Sequence, residues 1–482
     1  MQLRRTKIVA TLGPATSSPE ALEKIIAAGT DVVRLNFSHG SAADHRLRAE
    51  TVLAAAKKVG RHVAILADLQ GPKVRVARFI NNKVQLKEGQ NFLLDPSMNL
   101  ESGTEHAVGL DFPELGKDLN QGDTLLLDDG RIVLTVDHIS DNKVHTIVKI
   151  GGPLSNNKGI NLQGGGLSAP ALTDKDRADL ITAADIGVDY IAISFVRNAD
   201  DMHEARALLE QANSKAGLIA KIERAEAIEP DILEGIIKAS EGIMVARGDL
   251  AVEIGDALLV GVQKDIIKHT RRLNRIVITA TQMMESMISS PMPTRAEVSD
   301  VANAVMDGTD AVMLSAETAV GDFPAQTVEA MARVCLGAER HRKSNKSTHR
   351  LDIAVHSIDE SVALSAMYAA NHLAGVKAII CMTQTGQTPL LMSRIRSGIP
   401  IFAFTPQADT QRRVCLYRGV ITHPFDSEVL DNDKVNHIAV EQLRDIGVVE
   451  DGDIVLITKG DYVKAHGGTN TLKVVRVGNS IQ

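Results

Sequence analysis

The first feature of the sequence is an alternation of short, almost wholly apolar runs with longer segments that are apolar on one side only. Apolar runs at 7–11, 31–36 and 63–68 are separated by segments that open at Ser18 or Ser41. Apolar runs of this length are typical of buried parallel strands, and serine is a preferred N-cap of a helix. The pattern therefore predicts strand–helix–strand units from the start of the chain.

Between residues 73 and 170 the pattern changes to short runs in which apolar and polar residues alternate. The runs VQLKEG, FLLD, LLLDDG, IVLTVDHI and VHTIVKI are separated by the turn-forming sequences DDGR, SDNK and GGPL. Alternation with a period of two is typical of strands that have one buried face. The stretch predicts a small antiparallel barrel or sandwich, inserted after the third strand as a lid.

Strand–helix alternation resumes near Thr173, a candidate N-cap. Five further strands are predicted at 190–194, 218–222, 242–246, 276–280 and 311–315. Successive strands begin roughly 25 to 35 residues apart, as βαβ units require. Eight such units predict a (β/α)8 TIM barrel. An open doubly wound sheet is the alternative, although no GxGxxG motif follows the first strand.

The last part of the chain is predicted to form a separate domain. A polar, basic stretch at 340–350, RHRKSNKSTHR, is interpreted as a linker, and a helix at 358–373 follows it. Strands are then predicted at 378–382, 401–404, 420–423, 453–457 and 471–477. The fold class is therefore α/β with three parts. These are a (β/α)8 catalytic barrel at 1–70 and 172–340, an inserted antiparallel β-barrel lid at 71–171 and a C-terminal open α/β sheet domain at 352–482.

Composition narrows the class of protein further. Hydrophobic residues make up 44% of the chain, but aromatic residues only 3%, so aliphatic side chains must fill the cores, as in parallel sheets covered by helices. The formal net charge of -7 argues against bulk binding of nucleic acid or acidic membranes. Three scattered cysteines form neither a disulfide framework nor a metal motif. Because no segment resembles a signal peptide or a membrane span, we expect a cytoplasmic protein.

The stretch at 217–253 carries the densest candidate chemistry. One predicted strand delivers Lys221 and Glu223 at its end, and the next delivers Arg247 and Asp249. Carboxylates at the ends of neighbouring strands suit a hard divalent ion such as Mg²⁺. An adjacent lysine suits charge that develops on a phosphoryl group or an enolate. A surface ion-pair network is the alternative interpretation.

Polar residues at other strand ends favour a site on one rim, because the carboxyl ends of barrel strands meet there. These residues are Arg34, Asn36, Ser38 and Asp68 after strands two and three, Gly248 after strand six, Thr281 after strand seven, and Ser315 and Glu317 after strand eight. Loop composition alone would place some polar residues there. It would not place groups suited to phosphate and metal at nearly every strand end, so we predict an active site on this rim.

Four further side chains are candidates for phosphate binding or for its support. Arg34 and Arg75 carry guanidinium groups whose geometry matches phosphate oxygens, although either alone would more often form a surface salt bridge. Lys158 lies in the glycine-rich end of the lid, where the backbone can approach a polyphosphate closely. A flexible, exposed lysine is the alternative there. His39 is interpreted as a supporting contact near a helix N-terminus.

A second candidate anion site lies in the C-terminal domain, where TQTGQTP follows a predicted strand and precedes a helix. Thr383, Thr385, Gly386 and Thr388 offer hydroxyl and N–H donors near a helix N-terminus. A capped loop without a ligand is the alternative. The sequence AHGGTN at 465–470 is placed to fold over the same spot.

The long motifs of the chain, taken in order, resemble those of the pyruvate kinase family of bacterial type over nearly the whole length. They are RLNFSHG, ADLQGPKVR, KGINLQG, AKIERAEAI, ARGDLAVE, ATQMMESM, PTRAEVSDVANAV and DGTDAVMLSAETAVGDFP. Several long motifs in the family's order make the resemblance highly specific. It implies phosphoryl transfer from phosphoenolpyruvate to ADP, which gives pyruvate and ATP in the last step of glycolysis.

The resemblance implies roles for the residues at the rim. Glu223 and Asp249 would hold Mg²⁺ or Mn²⁺ between the substrate carboxylate and the phosphoryl group. Lys221 would stabilise the phosphoryl group in transit and the enolate left behind. Thr281 would lie near the carbon that later takes a proton through water. The substrate-binding residues would be Arg34, Lys221, Gly248, Asp249 and Thr281, with catalysis assigned to Arg34, Lys221 and Thr281.

The same resemblance implies a nucleotide site and a monovalent metal site. The nucleotide-binding residues would be Asn36, Phe37, Ser38, His39, Arg75 and Lys158. Closure of the lid would bring Arg75 and Lys158 to the ADP phosphates. The monovalent ion would take oxygens of Asn36, Ser38, Asp68 and Leu69.

One departure from the family's pattern concerns this monovalent ion. Many members carry GPE after the segment, whereas this chain carries Gly71, Pro72 and Lys73. An ammonium at that position can supply the positive charge that K⁺ otherwise brings. We therefore predict weak or absent dependence on K⁺.

For the C-terminal domain, the resemblance implies a phosphorylated sugar or nucleotide that acts as an allosteric effector on a homotetramer. Two other classes of function stay open. A catalytically silent scaffold or metabolite-binding regulator is opposed by the intact set of rim residues. An aldolase or lyase of a related barrel type would have no evident use for Lys158 and its lid.

Overall fold

The structure is a computed structural model that describes residues 3–341, 354–427, 432–460 and 468–479. Most of the stretch predicted as a linker, and the beginning of the AHGGTN sequence, lie outside the described residues.

The strands in chain order are β1 (Lys7–Thr11), β2 (Val32–Asn36), β3 (Ala64–Asp68), β4 (Lys83–Leu86), β5 (Asn91–Leu94), β6 (Ala107–Val108), β7 (Thr124–Leu127), β8 (Ile132–Ser140), β9 (Lys143–Ile150), β10 (Gly152–Ser155), β11 (Ile160–Leu162), β12 (Tyr190–Ile193), β13 (Gly217–Ile222), β14 (Gly242–Ala246), β15 (Ile276–Ala280), β16 (Ala311–Leu314), β17 (Val376–Met382), β18 (Ile401–Thr405), β19 (Val420–Pro424), β20 (Ile454–Lys459) and β21 (Thr471–Arg476).

The α-helices alternate with these strands outside the lid. In chain order they are α1 (Pro19–Ala28), α2 (Ala42–Val59), α3 (Leu115–Asp118), α4 (Asp174–Ile186), α5 (Ala199–Gln211), α6 (Pro230–Ala239), α7 (Arg247–Ile254), α8 (Asp256–Arg272), α9 (Arg295–Asp307), α10 (Ala316–Ala319), α11 (Pro324–Glu339), α12 (Ile358–His372), α13 (Gln387–Ser393), α14 (Ala408–Arg413) and α15 (Asn432–Asp445). Within the described part of the chain, none is long and apolar enough to cross a membrane.

Eight strands close into a barrel in the order β1-β16-β15-β14-β13-β12-β3-β2. Every neighbouring pair in the ring is parallel, and the ring closes where Lys7 of β1 pairs with Ala311 of β16. Side chains fill the inside and helices cover the outside, so nearly all strand residues are buried. The predicted TIM barrel is confirmed, and the open doubly wound alternative is wrong.

The lid follows β3 and consists of two sheets. A six-stranded sheet has the order β11-β7-β8-β9-β5-β6, and β10 pairs with β4 in a second sheet. Only β5 and β6 pair in parallel; the other pairs are antiparallel. In the first half of β8, Ile132, Leu134 and Val136 are buried and alternate with more exposed residues, as the period-two pattern predicts. The four-residue helix α3 is too short to leave a helical period in the sequence. The boundaries proposed at 71 and 171 stay predictions.

The C-terminal sheet has the order β19-β18-β17-β20-β21, with β21 antiparallel to β20 and the other neighbouring pairs parallel. It packs against the amino ends of the barrel strands. The Lys7 Nζ atom donates to the Val420 carbonyl over 2.6 Å, and the buried guanidinium of Arg394 pairs with Asp310. Apolar side chains of the barrel interior continue into this domain in one core. The carboxyl ends of the strands are therefore the open mouth of the barrel.

One helix at this mouth differs from the sequence prediction. The sequence predicts a helix at 257–273 after the sixth barrel strand, but the structure has two helices, α7 and α8. Gly255 separates them with φ of 85°, a conformation that glycine adopts readily. An eight-residue helix is too short to show a clear apolar period. As a result, Gly248 and Asp249 lie in the first turn of α7 and not on a loop.

Candidate active site

The barrel mouth is centred on the ammonium of Lys221, which is nearly buried at the end of β13. The Lys221 Nζ atom lies 2.9 Å from Glu223 Oε1 and 3.3 Å from Asp68 Oδ1. It also donates to Ser194 Oγ over 2.7 Å. These partners come from the ends of β3, β12 and β13, neighbouring strands of the ring. The closed barrel thus brings together side chains that are far apart in the sequence.

Two carboxylates compete for this one ammonium. Burial alone would lower the pKa of Lys221, but Asp68 and Glu223 outweigh burial and raise it, so the ammonium stays charged. Burial raises the pKa of Glu223, Lys221 opposes that rise, and the negative charge of Asp249 adds to it. The carboxylates of Glu223 and Asp249 are therefore close enough to repel each other, and an additional cation would relieve that repulsion.

A second lysine lies against the other carboxylate of the pair. Lys73 Nζ donates to Asp249 Oδ1 over 2.7 Å and lies 3.5 Å from Asp129 Oδ1 in the lid. Burial alone would lower the pKa of Lys73, but Asp249 outweighs it and raises the pKa. The lid lysine Lys158 pairs with Asp128 over 2.7 Å, next to Asp129 in the chain. Contacts between charged groups thus run from Lys158 across the lid to the barrel mouth.

The donor set at the mouth fits a divalent cation. Glu223 and Asp249 present carboxylate oxygens, the ligands that Mg²⁺ and Mn²⁺ prefer. No group of three or more His, Cys, Asp or Glu side chains suited to a metal occurs in the part of the chain that the structure describes. Mg²⁺ sites commonly use one or two carboxylates and complete their coordination with water and substrate phosphate. The pair therefore suits an ion that arrives with a phosphorylated substrate.

Arg34 joins the cluster from β2. Its Nε atom donates to Asp68 Oδ2 over 2.5 Å, and Nη1 donates to Thr11 Oγ1 over 3.1 Å. The buried carboxylate of Asp68 therefore lies between Arg34 and Lys221, and these two cations lower its pKa against the effect of burial. Asp68 holds two cationic groups side by side, which is the arrangement needed to receive a phosphoryl group.

Gly248 and Thr281 form the side of the mouth next to Asp249. The Gly248 N–H donates to Thr281 Oγ1 over 2.9 Å, and that hydroxyl donates to the Ala280 carbonyl over 2.7 Å. Thr281 has φ of 67°, a left-handed conformation that costs a β-branched residue free energy. Arg247 supports it, since Nη2 donates to the Thr281 carbonyl over 2.6 Å while Nη1 binds Asp300.

The residues that follow β2 and are expected to bind a nucleotide differ in their contacts and exposure. Asn36 Oδ1 accepts from the Ser38 N–H over 3.2 Å, and His39 is exposed. The side chain of Phe37 is buried and stacks on His45 with ring centroids 3.9 Å apart. The Phe37 N–H donates to the Asp68 carbonyl over 2.9 Å, and its carbonyl accepts from Lys175 Nζ over 2.8 Å, so its backbone polar atoms are already engaged as well.

Arg75 lies in the lid, apart from the Lys221 cluster. Its backbone N–H donates to Asp111 Oδ1 over 2.7 Å, and Nη1 donates to the Asn157 carbonyl over 2.9 Å. These contacts fix Arg75 beside the loop that carries Lys158, so the two lid cations lie together. The structure thus groups the expected phosphate-binding residues in two sets, one at the barrel mouth and one in the lid.

The residues expected to hold a monovalent ion have other partners in this structure. Asp68 is paired with two cationic side chains, as described above. The Leu69 carbonyl accepts from Ser194 Oγ over 2.7 Å. The expected monovalent site stays a prediction. The ammonium of Lys73 lies on Asp249, one of the divalent candidates, and the expected independence from K⁺ also stays a prediction.

The four residues of the candidate effector site lie together at the end of β17, away from the barrel mouth. The Gly386 N–H donates to Thr383 Oγ1 over 2.9 Å, and the Gln387 N–H donates to Thr385 Oγ1 over 3.4 Å. The Thr388 and Thr469 hydroxyls are 2.8 Å apart. The described end of the AHGGTN sequence therefore reaches this loop, as the sequence predicts. Its residues 465–467 lie outside the described residues.

Two contributions were missed by sequence reasoning: that of Ser194, and the contacts that Arg247, itself expected at a strand end, makes with the neighbouring strand. Ser194 binds Lys221, and the only signal for it is its position at the end of the fourth barrel strand, where no other chemistry was expected. Arg247 precedes the predicted Gly248 and Asp249 and holds the neighbouring strand end through the Ala280 and Thr281 carbonyls. Sequence spacing could not reveal this second role, because it depends on which strands are neighbours in the ring.

Comparisons with known proteins agree along the whole chain. Residues 3–328 match the family model of the pyruvate kinase barrel domain, and residues 360–475 match that of the pyruvate kinase alpha/beta domain. Pyruvate kinase II of Salmonella typhimurium is 57% identical over 477 residues, 99% of each chain. Pyruvate kinase of Haemophilus influenzae is 57% identical over 471 residues, 98% of each chain. A crystal structure of a pyruvate kinase from Cryptosporidium parvum superposes with a TM-score of 0.90 at 33% identity, covering 98% of this chain and 96% of that one.

Proposed function

The chain belongs to the pyruvate kinase family of phosphotransferases, and we propose from this that it transfers the phosphoryl group of phosphoenolpyruvate to ADP at the barrel mouth. The contact that supports this most is Lys221 held between Glu223 and Asp68, with Arg34 on the far side of Asp68. Phosphoryl transfer depends mainly on positioning and on neutralising charge, and this cluster supplies both.

In the transfer, the bond between phosphorus and the enol oxygen breaks, and a bond forms to a β-phosphate oxygen of ADP. Arg34 binds the phosphoryl oxygens, because its guanidinium presents paired N–H donors that match them. Lys221 faces the bridging oxygen, so that its ammonium stabilises the negative charge that passes to the enolate. Ser194 and Glu223 fix the position of Nζ, which therefore needs no rearrangement as the charge moves.

The enolate is then protonated on carbon to give pyruvate. Gly248 lies in the first turn of α7, where the helix dipole favours the substrate carboxylate, and that carboxylate would compete with the Thr281 hydroxyl for the Gly248 N–H. Thr281 would lie near the substrate carbon that accepts the proton. A water molecule would deliver that proton. The contact between Gly248 and the Thr281 hydroxyl couples these two tasks, since it sets the position of both groups.

Glu223 and Asp249 would hold the divalent cation. When bound, Mg²⁺ or Mn²⁺ would supply positive charge that stabilises the phosphorylated substrate. The acidic pair is balanced by Lys221 on one side and by Lys73 on the other.

The lid contributes the ADP-binding cations. Arg75 and Lys158 lie on neighbouring lid segments, and we propose that lid closure brings them to the ADP phosphates and excludes water. Asn36, Ser38 and His39 would meet the nucleotide from the barrel side. In the present arrangement Lys158 is paired with Asp128, so ADP must compete with this carboxylate for the ammonium.

A coupled assay tests the proposed reaction directly. Purified protein is supplied with phosphoenolpyruvate, ADP and Mg²⁺, and ATP and pyruvate are measured separately. We expect the two products in equal amounts. A silent scaffold would form neither product, and a lyase would release pyruvate without ATP, so either result would reject the proposal.

We propose further that the C-terminal loop at 383–388 binds a phosphorylated effector and that the protein is a homotetramer. Thr383, Thr385 and Thr388 place hydroxyl groups around Gly386, near the amino end of α13, and hydroxyl groups in such a position can bind a phosphate. Titration of candidate sugar phosphates and AMP should shift the phosphoenolpyruvate saturation curve for at least one of them. Curves that no candidate moves, or an effect that survives Thr383→Val, would count against this site.

A further inference from the structure

Glu253 is a buried carboxylate that the proposed reaction does not use. It lies in α7, about one turn after Asp249, and its side chain is nearly inaccessible, with the residue 3% exposed. Buried carboxylates are rare unless they are paired or hydrogen-bonded, because burial disfavours their charge. The contacts of Glu253 therefore need a structural explanation.

Three hydrogen bonds connect Glu253 to two other segments. Its Oε2 atom accepts from the Ala225 N–H over 2.8 Å, and Ala225 lies two residues after Glu223. Its Oε1 atom accepts from Asn161 Nδ2 over 3.4 Å, and its backbone carbonyl accepts from the Gly164 N–H over 3.0 Å. Asn161 and Gly164 belong to the end of the lid, where the chain returns to the barrel.

These connections couple the lid to both candidate metal ligands. Asp249 is in the same short helix as Glu253, and Glu223 is held through the segment that includes Ala225. A movement of the lid's last strand β11 is therefore transmitted, through one side chain, to the two elements that carry the carboxylates. This connection is additional to the direct contact of Lys73, at the start of the lid, with Asp249.

We call the contact of Glu253 with Asn161, Gly164 and Ala225 the junction. One buried side-chain oxygen at this junction lacks a hydrogen-bond donor among the described residues. Asn161 is 3% exposed, and its Oδ1 atom has no hydrogen-bond partner in the part of the chain that the structure describes. A small cavity of about 20 Å³ adjoins it, lined among others by Glu253, Arg224 and Lys73. That space is sufficient for one water molecule. A protonated Glu253 would offer an O–H donor to Asn161, whereas an ionised Glu253 offers only acceptors.

We propose that Glu253 is a positioning residue that fastens the end of the lid to the two metal-binding elements, and that it fastens the lid more tightly when protonated. The kinetic part of this inference rests on the proposed transfer to ADP. The charged groups that face Glu253 are Arg224 and Glu226 on the segment after β13 and Lys73 at the start of the lid.

The direction of the pH effect follows from these surroundings. Burial, with a contribution from the charge of Glu226, raises the pKa of Glu253 from the ordinary 4.5 to about 7, against the opposing effects of the Ala225 N–H, Arg224 and the hydrogen bond from Asn161. Between pH 4.5 and pH 7 the folded junction binds more protons than the unfolded chain, so raising the pH through this range weakens the junction. The KM for ADP should accordingly rise as the pH is raised from 4.5 to 7 and level off above pH 7.

Two substitutions separate this role from a merely structural one. Glu253→Gln keeps the size of the side chain and an acceptor for Ala225, adds a donor for Asn161 and cannot ionise. Its KM for ADP should stay near the low-pH value and lose the rise between pH 4.5 and pH 7. Glu253→Ala should raise the KM for ADP by about tenfold at all pH values, which corresponds to the loss of one strong hydrogen bond. The KM for phosphoenolpyruvate should change little.

A measurement without substrates makes the test independent of the proposed reaction. Amide hydrogen exchange is followed for Ala225 and Gly164, with protection factors corrected for the intrinsic pH dependence of exchange. Wild-type protection should fall as pH rises from 4.5 to 7, and Glu253→Gln should abolish that change. Asp189→Asn is the matched control, because Asp189 is a buried carboxylate with a pKa raised by burial to about 6, and it pairs with Arg412 at the opposite end of the barrel.

The outcomes are distinct. If Glu253→Gln keeps the wild-type pH dependence of both protection and the KM for ADP, Glu253 does not act as proposed. If Asp189→Asn removes that dependence equally, the effect is a general one of buried carboxylates, and the inference is again wrong. If the protection factors change as expected but no ATP forms from ADP, the role of Glu253 in fastening the lid is supported and the proposed function is rejected.

Discussion

Lys221→Met should abolish nearly all phosphoryl transfer while leaving the protein folded. Methionine occupies a similar volume but has no ammonium for the phosphoryl group or the enolate. A cation that stabilises this kind of transition state is worth about 10³- to 10⁵-fold in kcat, or roughly 4 to 7 kcal/mol. The loss should fall on kcat in the coupled assay, because the interaction strengthens as charge moves to the enol oxygen.

Lys7→Met is the matched control for this substitution. Lys7 is also a buried barrel lysine, but it lies at the closed end of the ring, where Nζ donates to the Val420 carbonyl. We expect Lys7→Met to lower the melting temperature and to leave kcat within a few fold of wild type. If Lys221→Met retains more than about a tenth of the wild-type kcat, the ammonium is not a main source of the rate acceleration.

Lys73→Glu should create a dependence on K⁺ that the wild type lacks. In the wild type, replacing K⁺ by tetramethylammonium should hardly reduce activity, because the Lys73 ammonium already lies 2.7 Å from Asp249. The substitution removes that charge and places a third carboxylate near Asp249 and Glu223, so a mobile cation becomes necessary. Activity of Lys73→Glu should fall by several orders of magnitude without K⁺ and recover when K⁺ is added.

Lys143→Glu provides the control for reversing a charge in the lid. Lys143 pairs with Asp95 over 2.8 Å on a lid strand and has no contact with the barrel mouth among those described. It should change neither activity nor the response to K⁺. A wild-type enzyme that loses several orders of magnitude in tetramethylammonium, or a Lys73→Glu variant that works equally well in both salts, would refute the account of Lys73.

Much of the barrel could be predicted because its signals are local. Apolar runs of strand length recur with helical segments between them, and polar residues follow at the strand ends. The ring itself is a consequence of repeating that unit eight times. The division between α7 and α8 could not be predicted in this way, since an eight-residue helix shows too little of its period and its end depends on the conformation of Gly255.

The site was predictable in its residue types but not in its partners. Lys221, Glu223 and Asp249 stand out in the sequence because charged groups follow two buried strands. The contact of Lys73 with Asp249 joins residues 176 positions apart, and the bond from Lys221 to Ser194 depends on strand order in the ring. Phe37 shows the opposite error, because a position in a motif does not reveal that its side chain turns into the core.

The central claim is that Glu223 and Asp249 share one divalent cation at the barrel mouth, and Mn²⁺ binding measured by electron paramagnetic resonance tests it without catalysis. Glu223→Gln and Asp249→Asn should each weaken Mn²⁺ binding at least roughly 10- to 100-fold. That is the loss of metal affinity typical when a residue that only supports a metal ligand is removed. Glu317→Gln alters another buried carboxylate, whose oxygens accept from the Ser315 and Met284 N–H groups, and should leave the affinity unchanged. If Mn²⁺ binds both ligand variants as tightly as the wild type, the two carboxylates do not hold the ion, and the account is contradicted.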